Sequence, residues 1–272
     1  MREFEFHRPS TVAEALGLLR GASEGKFLAG GQSLLPVLKL DMAQPSDLIS
    51  LAGLTDPGLR SITIDRDVDG DGVTIGALCT HAEVAASPEV RRAIPGLSQL
   101  CEGIGDPQVR NRGTLGGSLA HADPAADYPA AVLALQATVR TDRRTIGGDE
   151  LFTGLFATAL EPDELITAAR FKIPARAAYV KFASHASKYA LCGVMVAQHK
   201  DKSVRVAVTG AGPSAFRVAA MEQALAQRFD PAALAGITVA ADELSDSAEA
   251  SAAYRAHLIA VMARRAVQAA LG

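Results

Sequence analysis

Two glycine-rich segments contain the residues best suited to chemistry. Leu28–Leu34 reads Leu-Ala-Gly-Gly-Gln-Ser-Leu, and Thr114–Ser118 reads Thr-Leu-Gly-Gly-Ser, roughly eighty residues further on. Glycine has no Cβ, so the backbone can bend sharply there and bring its N–H groups against an anion. Both segments are predicted to be loops, and together they predict a clamp on two sides of one phosphate-bearing ligand.

Polar residues follow the second segment at high density. The run Gly113–Asp127 places hydroxyls, a histidine and the carboxylates of Asp123 and Asp127 among small residues. Burying such groups for packing alone is costly, so this pattern favours a ligand site whose carboxylates accept hydrogen bonds from ribose or ribityl hydroxyls. The first segment taken alone fits an ordinary strand-to-helix turn equally well.

Two acidic patterns resemble metal sites but lack an essential ligand. Asp65–Gly70 begins like a calcium-binding loop, yet Gly76 occupies the twelfth position, where that loop needs a bidentate glutamate. We therefore predict a solvated hairpin turn there. His121, Asp123 and Asp127 supply a single imidazole, so we interpret them as polar loop residues and predict no metal site.

The segment Gly210–Ala215 has the glycine spacing of a dinucleotide-binding turn. It follows strands of antiparallel type, however, and Pro213 removes one backbone N–H from the turn. A nucleotide site at this position is therefore disfavoured.

Composition sets limits on the class of protein. The 272 residues are 49% apolar and 21% charged, with a formal charge of -3, which is typical of a globular chain and argues against a general binder of nucleic acid or anionic membrane. Cys79, Cys101 and Cys192 form no C-x-x-C pair, so we expect no disulfide framework, iron–sulfur cluster or structural zinc. Met1–Phe6 lacks the apolar core of a signal peptide, and we predict a cytoplasmic protein without a membrane-spanning segment.

Short elements are expected around the two segments. Capping boxes at Thr11–Glu14 and Thr80–Glu83 predict helix starts. Hydrophobic patterning predicts strands at 26–29, 48–51, 61–64, 73–77 and 165–173, and helical segments at 34–40, 96–101 and 130–135, with a hairpin turn at 69–72.

A change in composition follows Pro174, and we place a domain boundary near 174–178. Beyond it, three strands at 179–182, 191–198 and 204–209 are predicted to be antiparallel, because 200–203 has the character of a turn. Alanine-rich helices are expected near 216–229 and 248–271. The pattern indicates an α+β C-terminal module.

A family resemblance rests on the two segments in their order. Ala29–Pro36, Thr114–Ser118 and Ala122–Pro124 resemble the FAD-binding medium subunits of molybdenum hydroxylases, a family that includes carbon monoxide dehydrogenase and the flavin part of xanthine dehydrogenase. The resemblance covers the whole chain, from Phe6–Pro9 to the C-terminal module. It implies an α+β fold of the PCMH/VAO type: an FAD-binding domain at 1–174, with subdomains at about 1–55 and 56–174. A C-terminal domain with a three-stranded antiparallel sheet and helices follows at 175–272.

The resemblance also implies a set of FAD contacts. Ser118 departs from the pattern, because several relatives carry Asn there; a hydroxyl can still form a hydrogen bond. Asp123 is a less certain contact than Asp127, and Tyr189 aligns with an aromatic residue that covers one flavin face in some members. The implied cofactor-binding residues are Phe27, Leu28, Ala29, Gly30, Gly31, Gln32, Ser33, Leu34, Ile104, Thr114, Leu115, Gly116, Gly117, Ser118, Asp123, Asp127, Ile166, Lys181 and Tyr189.

The function implied by the resemblance is electron transfer. A large molybdenum-cofactor subunit would oxidise the substrate, and a small subunit with [2Fe–2S] clusters would pass the electrons to FAD in this chain, which would pass them to an external acceptor. The resemblance implies a dimer of heterotrimers, and no catalytic residue is assigned to this chain. Two alternatives stay open: a self-sufficient FAD-dependent oxidoreductase, and a non-catalytic assembly subunit that holds no flavin.

Overall fold

Three β-sheets organise the chain in the computed structural model, which describes residues 3–67 and 70–272. The first is a parallel sheet with strand order β1-β3-β2. Its strands and the helices between them are β1 (Glu5–His7), α1 (Val12–Gly21), β2 (Gly25–Leu28), α2 (Leu34–Lys39) and β3 (Asp47–Ser50). Two short 3-10 helices, Leu51–Gly53 and Pro57–Arg60, lead out of this unit.

The start of α1 differs slightly from the predicted capping box. The Thr11 hydroxyl accepts a hydrogen bond from the Glu14 backbone N–H at 3.2 Å, as expected. The Glu14 carboxylate, however, accepts from the N–H of Ser10 at 2.8 Å instead of that of Thr11. At Thr80 both halves of the predicted box form, with Glu83 as the partner.

The second sheet is antiparallel, with strand order β4-β5-β10-β6-β7. Helices cover it, and a two-stranded ribbon formed by β8 and β9 lies beside it. The elements are β4 (Ile62–Asp67), β5 (Gly70–Gly76), α3 (His81–Ala86), α4 (Pro88–Ala93), α5 (Pro95–Glu102), α6 (Pro107–Arg110), α7 (Leu115–His121), α8 (Tyr128–Ala134), β6 (Thr138–Thr141), β7 (Thr145–Gly147), α9 (Gly148–Leu151), β8 (Phe152–Gly154), β9 (Ala157–Thr158) and β10 (Ile166–Lys172).

Two predictions in this region need correction. The hairpin turn expected at 69–72 is wrong for Gly70–Gly72, which pair with β4 as the start of β5; Asp69 lies outside the described residues. The second glycine-rich segment is also no loop, because it forms the first turn of α7. Thr114 caps that helix, its hydroxyl accepting from the Gly117 N–H at 3.1 Å.

The third sheet is antiparallel, with strand order β11-β12-β13-β14. Its elements are β11 (Arg176–Ala183), β12 (Ala190–Gln198), β13 (Val204–Thr209), β14 (Phe216–Arg217), α10 (Ala219–Gln227), a 3-10 helix at Pro231–Leu234 and α11 (Ala252–Leu271). The antiparallel prediction is confirmed.

The predicted three-stranded sheet gains a fourth strand. Phe216 pairs with Val208, so the residues expected to begin a helix at 216 form β14, and α10 starts only at Ala219. Gly210–Ala215 is therefore the turn between β13 and β14. Apolar residues of this sheet pack against α10 and α11 as one core, while a second core lies between the middle sheet and its helices.

No helix among residues 3–67 and 70–272 has the length and apolar character needed to cross a membrane.

Candidate functional site

A cavity of about 600 Å³ opens where the first and second units meet, within the size range of small-molecule sites. Its wall combines the turn between β2 and α2, the start of α7 and the residues around Asp127. Further wall residues come from the segments around Ile104, Ile166 and Tyr189.

The first glycine-rich segment presents unpaired backbone N–H groups to this cavity. Gly30, Gly31, Gln32 and Ser33 all line it, and among the described residues none of their four N–H groups finds a hydrogen-bond acceptor. Gly31 has a φ of +73°, which turns the chain in a way that other residues rarely adopt. Successive N–H groups on such a turn form an anion-binding concavity.

The two glycine-rich segments touch each other directly. A Cβ on Gly30 would lie 2.2 Å from the backbone oxygen of Arg112 and 2.7 Å from the Cα of Gly113. A Cβ on Gly117 would meet the Ala29 side chain at 3.6 Å. The expectation that the segments lie on one site thus has a geometric basis, since backbone packs on backbone there.

The second segment uses its N–H groups differently from the expectation. The N–H groups of Leu115 and Gly116 donate to the carbonyls of Cys79 and Ala77, at 3.0 and 2.8 Å. Those of Gly117 and Ser118 bond to Thr114 within the helix cap. These four amides therefore already have acceptors within the protein. The segment lines the cavity with its small residues Gly116, Gly117 and Ser118.

Asp127 is a buried carboxylate at the cavity wall, only 5% exposed. Tyr179 donates its hydroxyl to Oδ1 at 2.6 Å, and the Lys181 ammonium lies 3.0 Å from the same oxygen. Burial raises the pKa of the Asp127 carboxyl, while the Lys181 charge and both hydrogen bonds act in the opposite direction. Both partners belong to β11, so the C-terminal sheet fixes this side chain.

Tyr189 and Asp123 lie on the rim of the cavity. The Asp123 carboxylate accepts a hydrogen bond from the Ala125 N–H at 2.8 Å, which closes a local turn. Partial burial raises the pKa of the Tyr189 phenol, and the Asp123 charge adds to that effect, while a hydrogen bond with Ser33 lowers it. Tyr189 is 43% exposed and therefore accessible to a ligand.

His81 is a cavity residue that the sequence analysis missed. It begins α3, and its backbone N–H donates to the Gly113 carbonyl at 3.0 Å. The ring packs on Tyr128 at 5.4 Å between centroids, and its buried Nδ1 has no hydrogen-bond partner in the described part of the chain. Burial lowers the pKa of His81 to about 4, with the Arg110 charge contributing, so the ring is neutral at physiological pH. The only sequence signal was its place inside the Thr80 capping box.

Most of the predicted contacts converge on the cavity, and three do not. Leu28 is part of β2 and Leu115 is fully buried in the core, neither lining the cavity. Lys181 lies behind Asp127. The predicted residues that line the cavity are Phe27, Ala29, Gly30, Gly31, Gln32, Ser33, Leu34, Ile104, Thr114, Gly116, Gly117, Ser118, Asp123, Asp127, Ile166 and Tyr189.

The calcium-like pattern and the Gly210–Ala215 segment do not line the cavity in the described part of the chain. Asp65 binds Arg170 at 2.6 Å and Thr74, across the sheet, and Val68 and Asp69 of the calcium-like pattern lie outside the described residues. Across residues 3–67 and 70–272, no three His, Cys, Asp or Glu side chains are grouped as metal ligands would be.

Comparison with known proteins agrees with this architecture. Residues 2–176 match the family model described as the FAD binding domain in molybdopterin dehydrogenase, and residues 170–270 match the CO dehydrogenase flavoprotein C-terminal domain. The chain therefore belongs to the FAD-binding medium subunits of molybdenum hydroxylases, which are oxidoreductase components.

Individual relatives cover nearly the whole chain. The nicotine 6-hydroxylase medium subunit of Paenarthrobacter nicotinovorans is 38% identical over 95% of this chain and 94% of its own length. The carbon monoxide dehydrogenase medium chain of Hydrogenophaga pseudoflava is 35% identical over 98% and 96%. A solved structure of carbon monoxide dehydrogenase from that organism superposes with a TM-score of 0.88 at 34% identity, covering 99% of this chain and 98% of the matched one.

The residues present fit the FAD that this family binds. Four unpaired N–H groups at Gly30–Ser33 suit a diphosphate. A Cβ at Gly30 would overlap the backbone of Arg112 and Gly113, so the close approach of the first segment to the residues just before the second depends on glycine. Nδ1 of His81 is a buried polar atom that lacks a partner among the described residues, as expected beside a ligand site.

Proposed function

We propose that this chain holds an extended FAD in the cavity and relays electrons from the [2Fe–2S] clusters of a small subunit to an external acceptor. The observation that carries the proposal is the run of unpaired N–H groups at Gly30–Ser33, in residues that line a cavity whose wall also contains the carboxylates of Asp123 and Asp127. Bound FAD would supply two-electron and one-electron redox chemistry, which the side chains of this protein lack.

The individual residues would divide the binding between them. The N–H groups of Gly30–Ser33 would hold the diphosphate without any charged side chain, because oriented amides and a glycine turn suffice. Asp123 and Asp127 would accept hydrogen bonds from sugar or ribityl hydroxyls. Tyr189 would cover one face of the flavin ring.

Apolar residues would shape the rest of the pocket. Ile104 and Ile166 line the cavity and would exclude water from the flavin. A drier site strengthens every electrostatic contact with the cofactor. Lys181 would act indirectly, since it holds Asp127 and donates to the Lys188 carbonyl at 3.0 Å in the segment that carries Tyr189.

The proposal extends to partners, location and domain limits. We place the chain in a dimer of heterotrimers with a large molybdenum-cofactor subunit and a small iron–sulfur subunit; the relatives named as medium subunit and medium chain support a multi-subunit assembly. All three cysteines are buried free thiols, which supports a reducing, cytoplasmic location. We keep the domain limits at 1–174 and 175–272.

The test is flavin content in matched variants. The chain is co-expressed with its partner subunits, and bound FAD is measured by absorbance and by extraction. Gly31→Asp places a carboxylate beside the proposed diphosphate position and should abolish FAD binding. Gly17→Asp, on an exposed face of α1 with open space around it, is the matched control and should keep the flavin. Equal flavin content in the two variants would remove the first segment from the site, and a wild-type complex from which no FAD can be extracted would overturn the function.

A further inference from the structure

Arg255 is a buried cation on α11 that the proposed cofactor site does not explain. It is 5% exposed, and within the described residues the structure records no carboxylate paired with it. Its Nη1 donates to the carbonyls of Leu191 and Gly210, both at 2.6 Å. Its Nη2 donates to the Ser247 hydroxyl at 2.9 Å. A buried guanidinium held by neutral oxygens is costly, and packing alone would favour an apolar side chain.

The two carbonyls bound by Arg255 belong to neighbouring strand ends. Leu191 lies at the start of β12, and Gly210 follows the last residue of β13. Gly210 has a φ of +79°, and a Cβ there would lie 2.3 Å from the Ala190 oxygen. Gly210, the first glycine of the dinucleotide-like motif, therefore allows the ends of β12 and β13 to lie close together.

These strand ends hold the segment that carries Asp123 and Asp127. The Gly210 N–H donates to the Pro124 carbonyl at 2.7 Å, and the Ala190 N–H donates to the Ala125 carbonyl at 3.3 Å. The buried Thr209 hydroxyl lies 2.6 Å from the Ala126 carbonyl, to which it donates. Three consecutive carbonyls at 124–126 are thus fixed by the C-terminal sheet.

We propose that Arg255 is a positioning residue for the cofactor site. By joining the ends of β12 and β13, it orients the N–H groups and the hydroxyl that hold the carbonyls at 124–126, and so sets Asp123 and Asp127 at the cavity wall. The inference rests on the proposed function in that the cavity ligand is FAD. It makes the C-terminal helix a determinant of flavin affinity although Arg255 does not line the cavity.

The experiment compares variants whose thermal stability is measured alongside their FAD affinity. Arg255→Met removes the donors, and Thr209→Val removes the hydroxyl at nearly constant volume. Met262→Ala is the control, because Met262 is buried in the same helix but packs only into the C-terminal core. Each full-length chain is tested for thermal stability, for FAD affinity by titration of the apo-protein within its complex, and for hydrogen exchange of residues 123–127.

Arg255→Met and Thr209→Val should weaken FAD binding by about tenfold relative to Met262→Ala, the factor that corresponds to about 1.4 kcal/mol. They should also speed exchange at residues 123–127, and Arg255→Lys should partly restore both properties because an ammonium can still donate to one carbonyl. If the FAD affinity and the hydrogen exchange of the Arg255 and Thr209 variants change only in proportion to their thermal stability, as expected for Met262→Ala, the proposal is wrong. If Arg255→Met does not fold, the same comparison with Met262→Ala is made with Thr209→Val and Arg255→Lys.

The exchange measurement also separates the two proposals. It is made without flavin, so it reports on the positioning role even if the wild-type chain binds no FAD. A wild type without FAD contradicts the proposed function, whereas unchanged exchange at residues 123–127 contradicts the role of Arg255.

Discussion

At the scale of single residues, the site depends on positions where a side chain is missing. Gly30 lies against the backbone of Arg112 and Gly113, and Gly116 lies against that of Ala77. Because backbone atoms cannot rotate away as a side chain can, a methyl group on Gly30 would have to move the two segments apart, and one on Gly116 would have to move α7 away from Ala77. Whether these positions tolerate substitution by alanine is therefore a direct test of the packing.

We predict that Gly30→Ala lowers both stability and FAD affinity. Its Cβ would lie 2.2 Å from the Arg112 oxygen, and overpacking of this kind costs about 1–3 kcal/mol. Gly17→Ala is the control, since no atom lies within 4 Å of its Cβ and the helical position favours alanine. Urea denaturation and flavin titration measure both effects; an unaffected Gly30→Ala would contradict the direct contact.

His81 predicts a pH dependence of stability. Its pKa is lowered from 6.5 to about 4, so the folded state favours the neutral ring. The contribution of the neutral His81 ring to the free energy of unfolding is fully present above pH 6.5. It is lost as the pH falls toward 4, and it amounts to about 3 kcal/mol at most. In His81→Gln the free energy of unfolding should therefore fall less between pH 7 and pH 4.5 than in wild type, by roughly that order.

The matched control is His185→Gln, because His185 is exposed. Its unfolding free energy should follow the wild-type curve across the same pH range. A His81→Gln curve that also follows the wild type would show that the ring titrates normally in the folded protein.

At the scale of elements, α7 connects helix capping to the site. Thr114 is 7% exposed, caps α7 and lines the cavity. We predict that Thr114→Ala costs about 1 kcal/mol in stability and also weakens FAD binding, because the start of α7 shifts. Thr11→Ala removes the equivalent threonine cap from α1, does not line the cavity, and should cost similar stability with unchanged affinity. Equal FAD affinity in the two cap variants would show that the start of α7 does not contribute to cofactor binding.

Much of this element structure could be predicted from local pattern, and the exceptions have physical reasons. Strand β10 and helix α3 were found because apolar runs and the Thr80 box are local signals. The sequence predicts a loop at the start of α7, because two glycines disfavour a helix. In the structure Gly116 is helical, and its lack of a side chain allows the close contact with Ala77. Strand β14 has two residues and depends on pairing with β13, which no local pattern reveals.

The same limit applies to the site. Glycine spacing predicts a sharp turn at Gly30–Ser33, since a glycine turn is a local property, and these residues line the cavity. It could not show that the amides of Leu115 and Gly116 already have acceptors, because those acceptors lie over thirty residues earlier in the chain. His81 was missed for the same reason: its role follows from tertiary contact with Gly113 and Tyr128.

At the scale of the whole molecule, Asp127 and Lys181 join the regions matched by the two family models. The carboxylate belongs to the first region and the ammonium to the second, 3.0 Å apart and both largely buried. Such a pair contributes less than its geometry suggests, but losing one partner leaves an isolated charge. The contact therefore makes the two regions interdependent.

We predict that Asp127→Ala destabilises the chain by about 3 kcal/mol, because Lys181 keeps its charge without a partner. Lys181→Met in the same chain should recover part of the loss, giving a coupling energy of about 1–3 kcal/mol in a double-mutant cycle measured by urea denaturation. Strictly additive losses would show that the pair does not link the two regions. Arg91 and Glu102, an exposed pair at 3.2 Å, provide the control cycle and should couple by less than about 1 kcal/mol.

The buried cysteines have a practical consequence for measuring motion. Cys79, Cys101 and Cys192 are all buried, and burial raises the pKa of each thiol, to about 11 or 12. Maleimide reagents react with exposed thiolates, so the native chain should be almost inert to them. A single cysteine introduced at exposed Ala186, near Tyr189, would then accept one spin label without any background from the other thiols. The sequence is thus already a cysteine-silent background for measuring the mobility of the segment that carries Tyr189.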